Sequence, residues 1–267
     1  MAQPFPARVF LILIVLLTGI STSWAEDAKP ILLYSRYFNT KGESRYLPDG
    51  TFKDVLERLR AAFDVRVNDE ALSTNSLKGV AVILIANPSD KAVGDNPPPH
   101  HCSSEDVTEL SRFVHDGGGL IVMGNQENHN LETAHFNALL AVFGMKFENR
   151  YTDAKKLVLP TSVSIIGGLR WAYYTGNLVE LQPGHEAKPR GLVMNDLKQK
   201  PEAGTRDQDG VLLAIAEPGQ GHVVAVTDAG WISNDALSGK GIGGVAIKEQ
   251  DNFEIFLRLA RWAAGRR

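Results

Sequence analysis

Three consecutive glycines, Gly117-Gly118-Gly119, constrain this chain more than any other stretch. Before them Val107, Leu110 and Val114 recur at helical spacing, and after them Leu120 to Met123 is apolar throughout. The glycines therefore end a helix, and the apolar run reads as a buried strand. A polar knot follows, Asn125-Gln126-Glu127-Asn128-His129-Asn130. Next come Phe136, Leu139, Leu140 and Phe143 at the i, i+3, i+4, i+7 spacing of an amphipathic helix, with Gly144 placed to end it. Strand, polar loop and helix in that order are the building block of an open α/β sheet, where ligands bind at the carboxyl ends of the strands. The knot sits at such an end.

The rest of the chain is read against that block. Ile31 to Tyr34 is an apolar run, and Leu77 to Asn87 holds the apolar run V-A-V-I-L-I-A; both are expected to be buried strands, while Val65 and Val67 alternate with polar residues as in an edge strand. Thr51-x-x-Asp54 and Ser103-x-x-Asp106 are capping-box patterns that open helices. Ser89 to Cys102 carries three prolines, which exclude a helix and favour extended backbone. From Tyr151 to Gln208 helical periodicity is lost. Val158-Leu159, Val163 to Ile166, Leu178 to Leu181 and Leu192 to Met194 read as short strands in a β-rich excursion. Val211 to Ile215 and His222 to Val226 flank Glu217-Pro218-Gly219-Gln220-Gly221, a hairpin signal. Thr227 to Gly244 reads as a polar loop, and Asp251-Asn252 as the start of a final helix. The expected fold is α/β: an open, mainly parallel sheet with helices on both faces and a β-rich excursion.

Composition narrows the class of function. There are 28 Lys and Arg against 31 Asp and Glu, a net charge of −3 that offers no electrostatic footing for nucleic acid. Arg8 precedes an apolar run from Val9 to Leu17, followed by small and polar residues ending Ser23-Trp24-Ala25. That is the pattern of a signal peptide cut after Ala25, too short for a comfortable membrane span. The expectation is an exported chain, periplasmic or extracellular, with residues 26–267 forming a single domain and no membrane span after cleavage. Cys102 is the only cysteine, so the chain has no internal disulfide. Its place in a proline-rich loop suggests an exposed or half-buried thiol, which serine would replace without effect.

A resemblance rests on Gly117-Gly118-Gly119-Leu120, the Asn125–Asn130 knot, His135-Phe136-Asn137 and Phe143-Gly144-Met145 with Phe147. It continues through Gly219-x-Gly221-x-Val223-Val224-Ala225-Val226-x-Asp228, Trp231, Asn234 and Asn252. These residues resemble the class I glutamine amidotransferase-like superfamily, of flavodoxin-like architecture. Within it they are similar to exported domains like those appended to bacterial unsaturated rhamnogalacturonyl hydrolases and similar glycan-degrading enzymes. The resemblance implies a nucleophilic cysteine on a tight G-x-C-x-G turn after a central strand. Here that turn reads Gly124-Asn125-Gln126-Glu127-Asn128. The family's later histidine and glutamate are also missing, because the corresponding strand ends Thr227-Asp228-Ala229-Gly230. Without a nucleophile and its base, glutamine hydrolysis is not expected.

The candidate site is therefore a binding crevice rather than a catalytic centre. Asn125, Gln126, Glu127, Asn128 and His129 would line one side, and Asp228, Trp231 and Asn234 the other. A small polar ligand, carbohydrate among them, or a partner protein is the expected occupant. Trp231, Tyr37 and Trp171 either stack on a sugar ring or cover the core. Glu127 and Asp228 either form a general acid–base pair of a glycan hydrolase, or Asn125, Glu127 and Asn130 cap the following helix and fix the loop. His100, His101 and Cys102 are zinc-type ligands, but no second pair stands at a recognisable spacing. No metal and no cofactor is expected.

Overall fold

The computed structural model describes Met1, residues 28–240 and residues 250–266. The leader expected over residues 1–25 lies, beyond Met1, outside the described residues. Chain order is β1 (Ile31–Ser35), α1 (Lys53–Leu59), β2 (Asp64–Asn68), β3 (Val80–Ala86), α2 (Ser104–His115), β4 (Gly119–Met123) and α3 (Ala134–Ala141). It continues with β5 (Met145–Thr152), β6 (Lys155–Val158), β7 (Arg170–Tyr173), β8 (Gly176–Leu181), β9 (Arg190–Asn195), β10 (Gly210–Ala216) and β11 (His222–Val226), and closes with α4 (Asn234–Leu237) and α5 (Asn252–Ala263).

One nine-stranded sheet organises these elements, in the order β2-β1-β3-β4-β11-β10-β8-β5, with β9 paired to β10. β2, β1, β3, β4 and β11 run parallel. β10 turns back against β11, and β8, β9 and β5 continue antiparallel. The central strands are apolar at every position because each face meets its own layer. Leu32, Val82, Leu84, Ile121 and Val224 pack with α1 and α5 on one side. Leu33, Ile83, Ile85, Leu120 and Val122 pack with α2 and α3 on the other. This two-sided cover is the physical source of the unbroken hydrophobic runs. The β-rich stretch is present, and only its β6–β7 ribbon stands off the main sheet.

Several local expectations change. Val163 to Ile166 forms turns instead of a strand, with Ile165 at φ 70°. The polar stretch after Thr227 is helical in part: a 3-10 turn at Gly230–Ile232 runs into α4. The Ser103–Asp106 capping box forms as expected. The Thr51–Asp54 pattern does not. The Thr51 hydroxyl accepts from the Tyr46 amide at 2.6 Å, and the Asp54 amide donates instead to Asn234 Oδ1 at 2.9 Å.

The glycine triplet does more than stop α2. Gly117 takes φ 111°, and a Cβ on Gly119 would lie 2.3 Å from the Ala263 carbonyl oxygen of α5. The last turn of α5 thus lies directly on the start of β4. Gly119→Ala is expected to force the two apart and lower the unfolding free energy by about 1–3 kcal/mol. Urea denaturation followed by far-UV circular dichroism measures this, and an unchanged midpoint would contradict the close approach.

Candidate functional site

β4 and β11 lie side by side in parallel, with Met123 opposite Val226. Their carboxyl ends therefore bring the Asn125 knot and Asp228 to one edge of the sheet, and the Gly124 amide donates to the Val226 carbonyl at 2.7 Å. What happens at that edge differs from an open crevice. The loop leaving β1 folds back across it. Asn125 is buried, and its amide donates to the Tyr46 hydroxyl at 2.7 Å. Tyr46 is held in turn by Tyr34, whose hydroxyl donates to the Tyr46 carbonyl at 2.6 Å. Asn125 Oδ1 accepts from the Gln126 amide at 2.8 Å and lies 2.9 Å from His129 Nδ1. All of the amide group of Asn125 is engaged within the protein.

The surrounding charges belong to the same loop. Glu43 binds Arg45 through both oxygens, at 2.9 Å and 2.8 Å. Burial works against the ionised Glu43 carboxyl, but the Arg45 contacts and the Ser44 amide outweigh it and hold its pKa below the usual carboxylate range. Burial, helped by the Arg45 charge, pushes the His129 imidazole toward its neutral form. Asn39 donates to the carbonyls of Ala86 and Asn87 at 3.1 Å and 3.0 Å, and Asn87 donates to the His129 carbonyl at 3.0 Å. The ends of β3 and β4 are thus stitched to the β1 loop by asparagines.

The other expected residues fall into two groups. Gln126 is buried, Asn128 is exposed and His129 is half-buried. The Glu127 side chain lies outside what the structure describes. Asp228 is fully buried. Its Oδ1 accepts from the Gly230 amide at 2.6 Å and its Oδ2 from the Tyr174 amide at 3.1 Å. Trp231 is no ligand platform: it has no exposed surface and packs edge-on against Trp171 and Phe256 at centroid distances of 5.3 Å and 6.0 Å. The core takes it because its strand-end loop coils into a 3-10 turn under α5. Trp171 is fully buried as well. Asn234 braces α1, accepting from Asp54 and donating to the Gly50 carbonyl at 3.2 Å.

Helix capping is also redistributed. Asn130 does not cap α3. It sits at φ 56° and clips the proline-rich loop, accepting from the Lys91 amide at 2.8 Å and donating to the Lys91 carbonyl at 2.9 Å. The carboxylate of Glu132 caps α3 instead, accepting from the amides of His135 and Phe136.

Cys102 is buried at 3% exposure among the residues under α2 and α3. Burial first, then the charges of Asp106 and Glu132, push its thiol up to about 12, which makes it inert as a nucleophile. This corrects the exposed or half-buried loop thiol read from the sequence. The His101 imidazole lies 3.0 Å from the Asp90 carbonyl, and among the described residues no group of three His, Cys, Asp or Glu stands close enough to hold a metal ion.

A cavity of about 510 Å³ opens further along the same edge. It lies between the loops leaving β1 and β3, with Arg36, Tyr37 and Lys41 on one wall and Pro97 to His100 on the other. A loop as long as Ser89 to Cys102 is often functional or mobile, and here it forms one wall of the cavity.

No protein-family model matches the chain, and no curated protein matches it. Solved structures do. The mmIFT52 N-terminal domain superposes with a TM-score of 0.62 at 15% identity, over 87% of this chain and 96% of that one. A ThuA-like protein from Bacteroides uniformis gives a TM-score of 0.53 at 12% identity, over 92% and 95%. Another from Parabacteroides merdae gives 0.50 at 13%, over 90% and 91%. At such identities the likeness is one of fold. ThuA-like proteins have the class I glutamine amidotransferase-like fold, and this chain shares it, in a flavodoxin-like arrangement. No helix among the described residues is long and apolar enough to cross a membrane.

Two outcomes follow from the buried groups. Burial raises the Asp228 carboxyl to about 7 against the opposing pull of its backbone amides, whereas an unfolded aspartate titrates near ~3.9. The folded form therefore holds its proton more tightly. The associated stability is complete below about pH 4, is lost as pH rises toward about 7, and is flat above that, with a slope of up to ~1.4 kcal/mol per pH unit. Urea titrations across this range should show the slope in the wild type and not in Asp228→Asn, whatever constant offset the amide introduces. Parallel profiles would remove the raised carboxyl. Cys102→Ser should lower stability by about 1–3 kcal/mol, because it places a hydroxyl in an apolar nest; an unchanged denaturation midpoint would contradict that burial.

Proposed function

We propose that this chain is an exported, non-catalytic domain of the class I glutamine amidotransferase-like fold that binds a small polar ligand at the carboxyl edge of its sheet. The observation that carries the reading is the closed turn after β4. Gln126 stands where an amidotransferase places its nucleophile, and its neighbour Asn125 spends its amide on Tyr46, Gln126 and His129. An amide cannot attack a carbonyl, because its nitrogen lone pair is delocalised, and Cys102 is sequestered elsewhere. The exposed Asn128 and half-buried His129 form the rim a ligand can reach, and a carbohydrate is the first ligand class to test. A partner protein at the same edge is the other occupant consistent with this reading. The proposed branch is that of the exported domains joined to glycan-degrading enzymes, and it rests on the sequence resemblance. Export, to a periplasmic or extracellular location, rests on the leader pattern alone.

The competing reading, a glycan hydrolase using Glu127 and Asp228, meets a physical obstacle. A general acid or base must reach the proton it transfers, and both Asp228 oxygens already face backbone amides inside the protein.

Assays of the chain lacking residues 1–25 for glutaminase, esterase and glycosidase turnover decide between these readings. No turnover is expected from the wild type. Turnover that disappears in Asn125→Ala or Glu127→Gln would replace the binding module with an enzyme.

A further inference from the structure

The strand order contains a reversal. From β1 the chain moves outward through α1 to β2, then returns across β1 to β3 on its other side. The α1 layer and the α2 layer cover opposite faces of the sheet. The loops leaving β1 and β3 therefore diverge and leave a crevice between them. In open α/β sheets this reversal is where ligands bind. The cavity of about 510 Å³ lies there, within the size range of small-molecule sites.

The chemistry of its walls is specific. Arg36 is held between two carboxylates, with Nη1 3.0 Å from Asp49 and Nε 3.6 Å from Asp69. A guanidinium has five donors in a fixed fork, so the Arg36–Asp69 pair presents donors and acceptors together. Tyr37 and His100 stack at 4.3 Å with planes 8° apart, joining the two loops. Pro97 to Pro99 add an apolar wall whose backbone is stiff before any ligand arrives. Asn39 borders the cavity while its amide pins the β1 loop to the end of β3, so the wall is pre-formed.

We infer that this switch-point cavity is the ligand site and that its ligand is a neutral mono- or disaccharide. Sugar hydroxyls donate and accept at once, which suits the compensated Arg36–Asp69 pair. The apolar C–H faces of the ring suit the prolines and the Tyr37–His100 plane. Arg36 and Lys41 are balanced by Asp69 at the wall and Asp49 beside Arg36, so the cavity has no net charge to hold a strongly anionic ligand. The inference rests on the binding reading above and moves its centre from the Asn125 knot to the β1–β3 crevice.

Isothermal titration calorimetry with glucose, galactose, mannose, xylose and cellobiose, and with glucuronate as a charge control, tests it. Saturable binding of at least one neutral sugar at millimolar concentration or below is expected. Asp69→Ala and Tyr37→Ala should each weaken it at least about tenfold, whereas Lys78→Gln, exposed at the amino end of β3 and outside the cavity lining, should leave it within about twofold. Asp69 is the safer variant, since its side chain is 69% exposed; circular dichroism checks the fold of both. Binding that survives Asp69→Ala and Tyr37→Ala but is lost in His129→Ala would overturn the placement and leave the binding module standing. Binding of glucuronate alone would overturn the ligand class. No saturable binding of any neutral sugar would overturn the inference, while turnover in the enzymatic assays would overturn the binding module itself.

Discussion

The contact between the Tyr46 hydroxyl and the Asn125 amide governs how the carboxyl edge of this sheet is used. It joins the loop after β1 to the turn after β4 across the end of β3. To make it, Tyr46 adopts a left-handed backbone at φ 61°, a conformation that costs a non-glycine residue about 1–2 kcal/mol. The strain is offset locally: the Tyr46 amide, carbonyl and hydroxyl all have partners in Thr51, Tyr34 and Asn125. A buried polar network with every member satisfied rigidifies its surroundings. Here it closes the turn after β4, while a cavity stays open between the loops leaving β1 and β3.

The parallel core was legible because its cause is local in sequence. Leu120–Met123 and Val80–Ala86 are apolar at every position, and only a strand covered on both faces tolerates that. The Ser103–Asp106 box and Gly144 were legible for the same reason: each is a short-range signal with one mechanism. Residues 151–208 were harder to read because their order comes from contacts distant in the chain. Lys155 is fully buried, and its ammonium donates to Asn195 at 2.8 Å and meets Asp207 at 2.5 Å. No periodicity reports a lysine that pairs with a carboxylate fifty residues on. The result is a loop tied to the ribbon by a buried ion pair, which local patterns would read as solvated surface.

The candidate site shows the same division. Two apolar runs gave burial for β4 and β11 but not their pairing; the structure pairs them and brings the Asn125 knot and Asp228 to one edge. The exposure of those residues did not follow. Asp228 and Trp231 look alike in sequence to a ligand-binding carboxylate and its stacking partner. Their fate was decided by the 3-10 turn at Gly230–Ile232, which turns both inward beneath α5. Among the described residues the indole nitrogens of Trp171 and Trp231 have no protein hydrogen-bond partner. The pair is therefore held by ring packing rather than by polar contacts. Asn234, equally suggestive, was claimed by the amide of Asp54.

Catalysis at a strand-end turn and binding at a sheet reversal depend on different features of a fold. Catalysis at the β4 turn needs a nucleophile and a base at one point, and either substitution abolishes it. Binding at the β1–β3 reversal needs only that two loops diverge, and strand order enforces that whatever residues the loops carry. In this chain the turn after β4 is a structural joint: Asn125 bonds Tyr46 of the β1 loop, and Asn130 clips the proline-rich loop at Lys91. Asn39 separately pins the β1 loop, which carries Arg36 and Tyr37, to the end of β3. Two separate sets of asparagine hydrogen bonds thus order this edge, Asn125 at the β4 turn and Asn39 at the wall of the β1–β3 cavity.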